Sequence, residues 1–460
     1  MAVVDPRFAP HNLQLEDPAL FRTMDPQLRE LRRLPVAYRY PILGHLPVDE
    51  PGIYSITGGR RIGKSTALKQ WMCDLLDRGV PPQRILYVTG ELIDDHHALV
   101  ELLTRVALER SPSRPAYLLV DEVTYIHGWD RGIKFLADAG LLEDLVLVLT
   151  GSDSVVIHEA RALLPGRRGR APLVDFHLYP LSFSEYLDVS GLGGDLSEES
   201  SVEAAAGLVD AFQRYLVHGG YLTAINDMAA HGRIEPATLA VYCDWIRGDM
   251  AKRGKQEHFL KEVLGSVVRR HGSQVTWNSL ARDLSMDHPA TVADYIALLS
   301  RMDVLIVQHA LREDRLAAAP KKARKVAFTD PFIFHAVRSW LDPVDDPFAS
   351  QVAPAVADPE WAGRLAEACA VAHHHRVHPT FYLKGVGEVD IAYVTQRGFH
   401  PVEVKWTGQI RSSDLKQARK YRNSIVCSRM ATPNRIHGLP NELLPLHLQR
   451  LGPSPHCVTW

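Results

Sequence analysis

Cysteine is scarce in this chain and never paired in sequence. Five residues in 460 (Cys73, Cys243, Cys369, Cys427 and Cys457) are scattered without a CxxC spacing, which leaves no disulfide framework and fits reduced thiols in a cytoplasmic protein. Long apolar runs are missing too. None approaches the ~20 residues that cross a bilayer, and the first residues, with Asp5 and Pro6, lack the apolar stretch of a secretion signal. A soluble, cytoplasmic protein is therefore expected. Nor does one charge dominate: Lys and Arg number 52 against 54 Asp and Glu, a net of −2. A protein that coats nucleic acid without specificity would be more basic, so any contact with DNA has to be local. There is no internal repeat and no low-complexity tract. What remains is a 46% hydrophobic, 23% charged chain too long for one hydrophobic core, and two to four domains are expected.

The first forty-odd residues mix Pro, Arg and Leu without clear periodicity and read as an arm or a short helix (PQLRELRRL). From about residue 47 to 187, strand-like runs (IYSIT, ILYVTG, YLLVDE, LVLVLTG) alternate with helical patterns such as KSTALKQWMCDLL. Uncharged β-branched runs of this kind are buried parallel strands, so the fold class is α/β with a parallel sheet. GLGGDLSEESS, 191 to 201, is a loop by composition, and mostly helical sequence follows to about residue 262. Pro343, Pro347, Pro354 and Pro359 mark another boundary, beyond which lies a second α/β unit.

GGRRIGKS satisfies the P-loop pattern GxxxxGK[ST] at Gly58, Gly63, Lys64 and Ser65, between a strand-like run and a helix, as the motif requires. Glycines let backbone N–H groups turn toward phosphates, and the helix N-terminus adds positive potential. The expected nucleotide cradle is Gly58, Gly59, Arg60, Arg61, Ile62, Gly63, Lys64, Ser65 and Thr66. Lys64 should reach the β- and γ-phosphates, and the Ser65 hydroxyl should ligate Mg²⁺. YLLVDE ends a buried strand in two carboxylates at the sheet edge where open α/β sheets bind ligands. Asp121 is expected to hold the magnesium, and Glu122 to orient and deprotonate the attacking water. The next strand ends in Thr150, Gly151 and Ser152, with Ser152 a candidate sensor of the γ-phosphate. Arg167, Arg168 and Arg170 in PGRRGRAP are candidates for an arginine finger into a neighbouring subunit.

Taken together, ITGGRRIGKST, LLVDEV with Trp129, LTGSDS, GR before YPLSFSEYL, HGGYLTAI, KARKVAFTDPFIF and GEVD…PVEVK resemble a group of prokaryotic AAA+ ATPases. In that group a P-loop domain comes first, a winged-helix segment next and a nuclease-like domain last. The likeness runs from about residue 50 to 425. It implies a P-loop ATPase domain at 47–187, a helical lid at 188–262, a winged helix at 263–345 and a nuclease-like domain at 355–430; the arm at 1–46 and a tail at 431–460 lie outside it. The family's finger arginine follows a glycine, and spacing to PLSF favours Arg170.

SLARDLSMDHPATVADYIALL reads as helix, turn, helix, with Leu280, Ala281 and Leu284 on one apolar face and Val292, Ile296 and Leu299 on the other. A hairpin with a basic loop at Lys321, Lys322, Arg324 and Lys325 follows, as a wing that could lie on phosphates would. GEVDIAYV and FHPVEVKW put Asp390 on one strand and Glu403 and Lys405 on its partner, and residues two apart on a strand share a face. This D…ExK arrangement resembles PD-(D/E)XK nucleases. The resemblance implies Mg²⁺ on Asp390 and Glu403, Lys405 positioning the hydrolytic water, Glu367 as a further acid, and Gln417 and Tyr421 as a RecB-like Q-x-x-x-Y. Cys369, His373, His374, His375 and His378 invite a metal reading, but without a clear fourth ligand an exposed helix end is expected; ELIDDHH (91–97) is expected to be a βα loop.

The expectation is a Mg²⁺-dependent AAA+ ATPase with ATP and Mg²⁺ as cofactors, working as a homo-oligomer on DNA, with no membrane partner. The alternative is an NTP-switched signalling or scaffold ATPase with an inactive nuclease-like domain and no nucleic-acid substrate.

Overall fold

The structure, a computed structural model, describes residues 5–108, 115–151, 166–193, 202–282, 284–285 and 288–455. Contacts divide the chain into two compact units, one ending at Tyr179 and the other running from Pro180 to Pro455.

In the first unit, β1 (Gly52–Gly58), β2 (Ile85–Thr89), β3 (Ala116–Asp121), β4 (Leu145–Thr150) and β5 (Asp175–Leu178) form a sheet in the order β2-β3-β4-β1-β5 with every pairing parallel. All residues of β1, β3 and β4 are buried, because helices cover the sheet: Lys64–Asp77, His96–Leu108 and Trp129–Asp138. Val88, Leu118, Val120, Leu147 and Leu149 of the strands pack with Leu99, Leu103, Ile133 and Leu136 of two of these helices. Each such side chain contributes roughly 1.5–3 kcal/mol through burial. The order places β4 between the strands that carry the P-loop and Asp121, so both tips open on one edge.

The N-terminal arm is ordered where the sequence showed no periodicity. β2 is an edge strand, and an open edge leaves backbone groups unpaired. Asn12 closes it: its side-chain amide donates to the Tyr87 carbonyl (2.7 Å) and accepts from the Tyr87 N–H (2.8 Å), as a neighbouring strand would. Gln14 donates to the Ile85 carbonyl at 3.1 Å. Helices Pro18–Met24 and Pro26–Leu31 follow, each with an aspartate cap, Asp17 and Asp25.

The second unit begins with helices, including Val202–His218, Leu222–His231, Pro236–Lys252 and Glu257–Arg269. β6 (Gln274–Val275), β7 (Leu305–His309) and β10 (Arg324–Phe328) then form an antiparallel sheet in the order β6-β10-β7, with β8 (Leu311–Arg312) and β9 (Ala317–Ala318) as a separate pair. Helices Trp277–Arg282 and Pro289–Arg301 bury Leu280, Ala281, Val292, Ile296 and Leu299. A helix at Pro359–Val377 leads to a mixed sheet of β11 (Thr380–Lys384), β12 (Glu388–Thr395), β13 (Gly398–Lys405), β14 (Ile425–Ser428), β15 (Arg435–Ile436) and β16 (Leu439–Leu443). Its order is β11-β12-β13-β14-β16-β15, antiparallel through β13 and parallel from β13 to β16. Among the described residues no helix is long and apolar enough to cross a membrane.

Candidate functional site

The loop after β1 turns sharply enough to need glycine at two places. Gly58 has φ +145° and a Cβ there would lie 2.6 Å from the Leu178 carbonyl; Gly63 has φ +101° and begins helix Lys64–Asp77. Lys64 is 4% exposed, and its ammonium donates to the carbonyls of Gly58 and Gly59, 3.0 Å each. The loop thus folds over its own lysine. Tyr40 steadies it from outside, its hydroxyl donating to the Ile62 carbonyl at 2.6 Å. Arg60 pairs with the hydroxyl of Tyr125.

Facing this loop is the tip of β3. Asp121 is 4% exposed and takes two hydroxyl donors, Thr150 on one oxygen and Tyr87 on the other at 2.5 Å. The Thr150 hydroxyl also accepts from the Glu122 N–H (3.1 Å), and Glu122 sits in a left-handed conformation, φ +51°. The end of β4 therefore holds both carboxylate-bearing residues in place. Ser65 opens the following helix close to Tyr87, the residue that donates to Asp121. Burial first, then the Asp121 charge, pushes the Tyr87 phenol well above its usual range, and it stays a neutral donor. A hydroxyl and a carboxylate are the oxygen ligands that a small hard cation prefers.

Behind Tyr87 lies a residue whose role the sequence did not reveal. Lys69, in the same helix as Lys64, is fully buried. Its ammonium sits 3.7 Å from the centre of the Tyr87 ring, donates to the His11 carbonyl (2.7 Å) and pairs with Asp25 at 3.3 Å. Burial pulls its pKa down, and Asp25 opposes that. The arm is thereby tied to the ring that touches Asp121. A lysine amid TALKQWM was the available signal, since an unpaired charge is not buried in a helix interior.

Ser152 lies outside the described residues. Arg167 pairs with Asp138 (2.5 Å), Arg168 with Asp175, and Arg170 is exposed without an ionic partner among the described residues. In 91–97, Asp95 caps helix His96–Leu108 by accepting from the N–H groups of His97 and Ala98, 3.0 Å each.

In the second unit, buried Asp390 and Glu403 and half-buried Lys405 and Glu367 do come together around β12 and β13. Lys405 pairs with Glu403 at 2.6 Å and with Asp390 at 3.6 Å, and the Val404 N–H donates to Asp390 at 3.0 Å. Burial and the Asp390 charge push Glu403 up to about 8 and Glu367 up to about 7. Burial acts on Asp390 in the same direction, but Lys405 and Lys325 outweigh it and hold that carboxyl low. Lys325 is the surprise. Expected on a phosphate-facing wing, it is 4% exposed in β10, its ammonium 2.7 Å from Glu367 and 3.3 Å from Asp390 and paired with Glu388. A magnesium ion on these acids would have to displace it, so the residues as arranged do not fit a metal centre. Gln417 donates to the Tyr421 hydroxyl (3.2 Å), which donates to Glu313 (2.9 Å).

The histidine run is not an exposed helix end. His373 and His374 are 3% and 0% exposed because helix Pro359–Val377 is buried along this face. His373 spends both ring nitrogens on the backbone, Nδ1 toward the Cys369 carbonyl (2.8 Å) and Nε2 accepting from the Phe183 N–H (2.9 Å). Burial, then Arg376, takes its pKa down to about 3, as for a neutral core histidine.

Comparison with known proteins adds to this geometry. Residues 50–187 match the family model of an AAA domain, and residues 209–343 match a domain of unknown function (DUF8612). An uncharacterised protein of Haemophilus influenzae is 26% identical over 262 residues, a match spanning 55% of this chain and 60% of that protein's length. Similar solved structures include Cdc6p from Pyrobaculum aerophilum (TM-score 0.24, 12% identity, 74% of this chain and 97% of that one). A RuvB variant of Thermotoga maritima (0.27, 15%, 56% and 81%) and Drosophila ORC bound to DNA (0.25, 15%, 71% and 86%) are others. The AAA domain match covers the whole parallel sheet and the loop between β1 and Lys64.

Proposed function

We propose that this chain is a Mg²⁺-dependent ATPase of AAA+ type that converts ATP binding and hydrolysis into conformational work. What supports this reading is that the glycine loop carrying Lys64 and Ser65 and the strand tip carrying Asp121 and Glu122 leave the same edge of one parallel sheet, inside a segment that matches an AAA domain. Backbone N–H groups from Gly59 to Thr66 would cradle the phosphates, and Lys64 would leave the loop carbonyls for the β- and γ-phosphate oxygens. Ser65 and Asp121 would hold magnesium, which when bound neutralises charge on the phosphates. Glu122 would accept a proton from the attacking water, oriented by the Thr150 hydroxyl that grips its N–H. Release of phosphate measured for wild type, Lys64→Ala and Glu122→Gln tests the reading; it requires both variants to lose most turnover, and equal rates in all three refute it.

DNA is the proposed object of that work, met through the two apolar-cored helices Trp277–Arg282 and Pro289–Arg301 and the exposed Lys321 and Lys322. A DNA-binding titration at increasing salt separates this from the ATP-switched scaffold. Phosphate contacts give an affinity that falls steeply with salt, and absence of binding at low salt favours the scaffold. The scaffold reading has one observation of its own: Lys325 spends its charge on carboxylates instead of offering it to phosphate.

A further inference from the structure

The acids clustered between β12 and helix Pro359–Val377 already hold a cation, and it is covalently part of the chain. Along β10, Arg324, Val326 and Phe328 face one way and Lys325 and Ala327 the other. Lys325 thereby points into the space between Glu367, Glu388 and Asp390. One oxygen from each of these three carboxylates lies within 4.8 Å of the others, the spread of a divalent ion's ligand shell. Such an ion sits about 2.0–2.6 Å from its oxygens. The ammonium, 2.7 Å from Glu367 and 3.3 Å from Asp390, takes up that volume.

Lys325 is also held there firmly. The neighbouring strand β7 sends the Gln308 amide to the carbonyls of Asp390 (2.8 Å) and Phe381 (3.0 Å). Tyr382 donates to the Ala323 carbonyl at 2.5 Å, two residues before Lys325, and Gln274 of β6 pairs with Glu388. The three-stranded sheet is thus bonded to β11 and β12 on both sides of the lysine. Lys405 stays with Glu403 and Asp390 on the far side of the cluster, and the second oxygen of Glu403 is buried without a hydrogen-bond partner.

We propose that Lys325 is a resident cation that replaces the divalent metal of this carboxylate cluster, so that the C-terminal domain is closed to metal-dependent cleavage and opens to a divalent ion only when the Lys325 ammonium is removed. The inference does not rest on ATP hydrolysis, and its test needs no activity.

Uptake of Mn²⁺ by the nucleotide-free full chain, counted by electron paramagnetic resonance of the free ion, is the experiment. Wild type should show no Mn²⁺ uptake that Asp390→Asn abolishes. Lys325→Met should gain one Mn²⁺ per chain at least tenfold tighter than anything in wild type, and Lys325→Met with Asp390→Asn should lose it again. Wild-type uptake that vanishes in Asp390→Asn overturns the proposal, because the site is then open with the lysine present. A folded Lys325→Met that gains no site overturns it equally. Should Lys325→Met fail to fold, Lys325→Gln carries the same comparison, and the wild-type arm decides without either variant.

Discussion

Removing the buried ammonium of Lys69 should loosen the N-terminal arm far more than removing the whole Lys69–Asp25 pair. The two side chains are 0% and 1% exposed and 3.3 Å apart. At an effective dielectric of about 20, charges at that separation attract by about 5 kcal/mol, which roughly offsets the several kcal/mol lost in dehydrating each of them. The pair is therefore close to neutral as a unit, while either half alone is costly. Lys69→Met leaves the Asp25 carboxylate buried and removes the bond to the His11 carbonyl and the contact with the Tyr87 ring. A cost of about 3–5 kcal/mol is expected. Asp25→Asn keeps the oxygen that caps Gln27 and Leu28 yet strands the lysine, whose pKa burial already depresses, so deprotonation limits its penalty. The double variant should recover at least ~1.5 kcal/mol relative to the sum of the singles. Hydrogen exchange suits the assay, because it reads opening of the arm and of helix Lys64–Asp77 without unfolding the second unit. Lys69→Met should lower protection there by about 100- to 3,000-fold at ~1.4 kcal/mol per tenfold. Strictly additive effects, within about 0.5 kcal/mol, would refute the coupling.

Three further outcomes are expected. Tyr87→Phe removes a 2.5 Å donor from the buried Asp121 charge and should cost about 1.5–3 kcal/mol in denaturant titration of the first unit; an unchanged midpoint contradicts the Tyr87–Asp121 bond. Glu403 is raised from 4.5 to about 8, so the folded state keeps a proton that the unfolded state gives up near pH 4.5. Its contribution is present below that pH and is lost as pH rises toward about 8, by a few kcal/mol. Glu403→Gln should flatten this fall in thermal denaturation between pH 5 and 8, and an unaltered slope would sink the assignment. Arg170→Ala should slow ATP turnover at least tenfold without changing nucleotide affinity if it reaches a neighbouring subunit. Mass photometry showing a strict monomer with and without a slowly hydrolysed ATP analogue removes that role.

The parallel sheet was legible because β1 to β4 are uncharged runs bounded by polar tips, which only a strand covered on both faces requires. β5 escaped notice: DFHL is four residues long, alternates, and opens with an aspartate that Ser55 and Arg168 satisfy from elsewhere in the chain. The glycine loop, Asp121 and Glu122 were legible because each is a contiguous motif at a strand end. Tyr40, Tyr87 and Lys69 were not, since their roles come from contacts across tens of residues, Tyr87 with a neighbouring strand and the other two through an arm without periodicity. Lys325 was misplaced for a related reason. Four basic residues within KKARK read as one solvated loop, but strand alternation separates Lys325 from Arg324, and only the fold shows that its side meets acids.

Calorimetric titration of the full chain with ATP tests the central claim most directly, run with and without magnesium for wild type and Lys64→Ala. Saturable heat from one ATP per chain is predicted for wild type, strengthened by magnesium and lost in Lys64→Ala. No nucleotide uptake by wild type, or equal uptake by Lys64→Ala, would contradict the account.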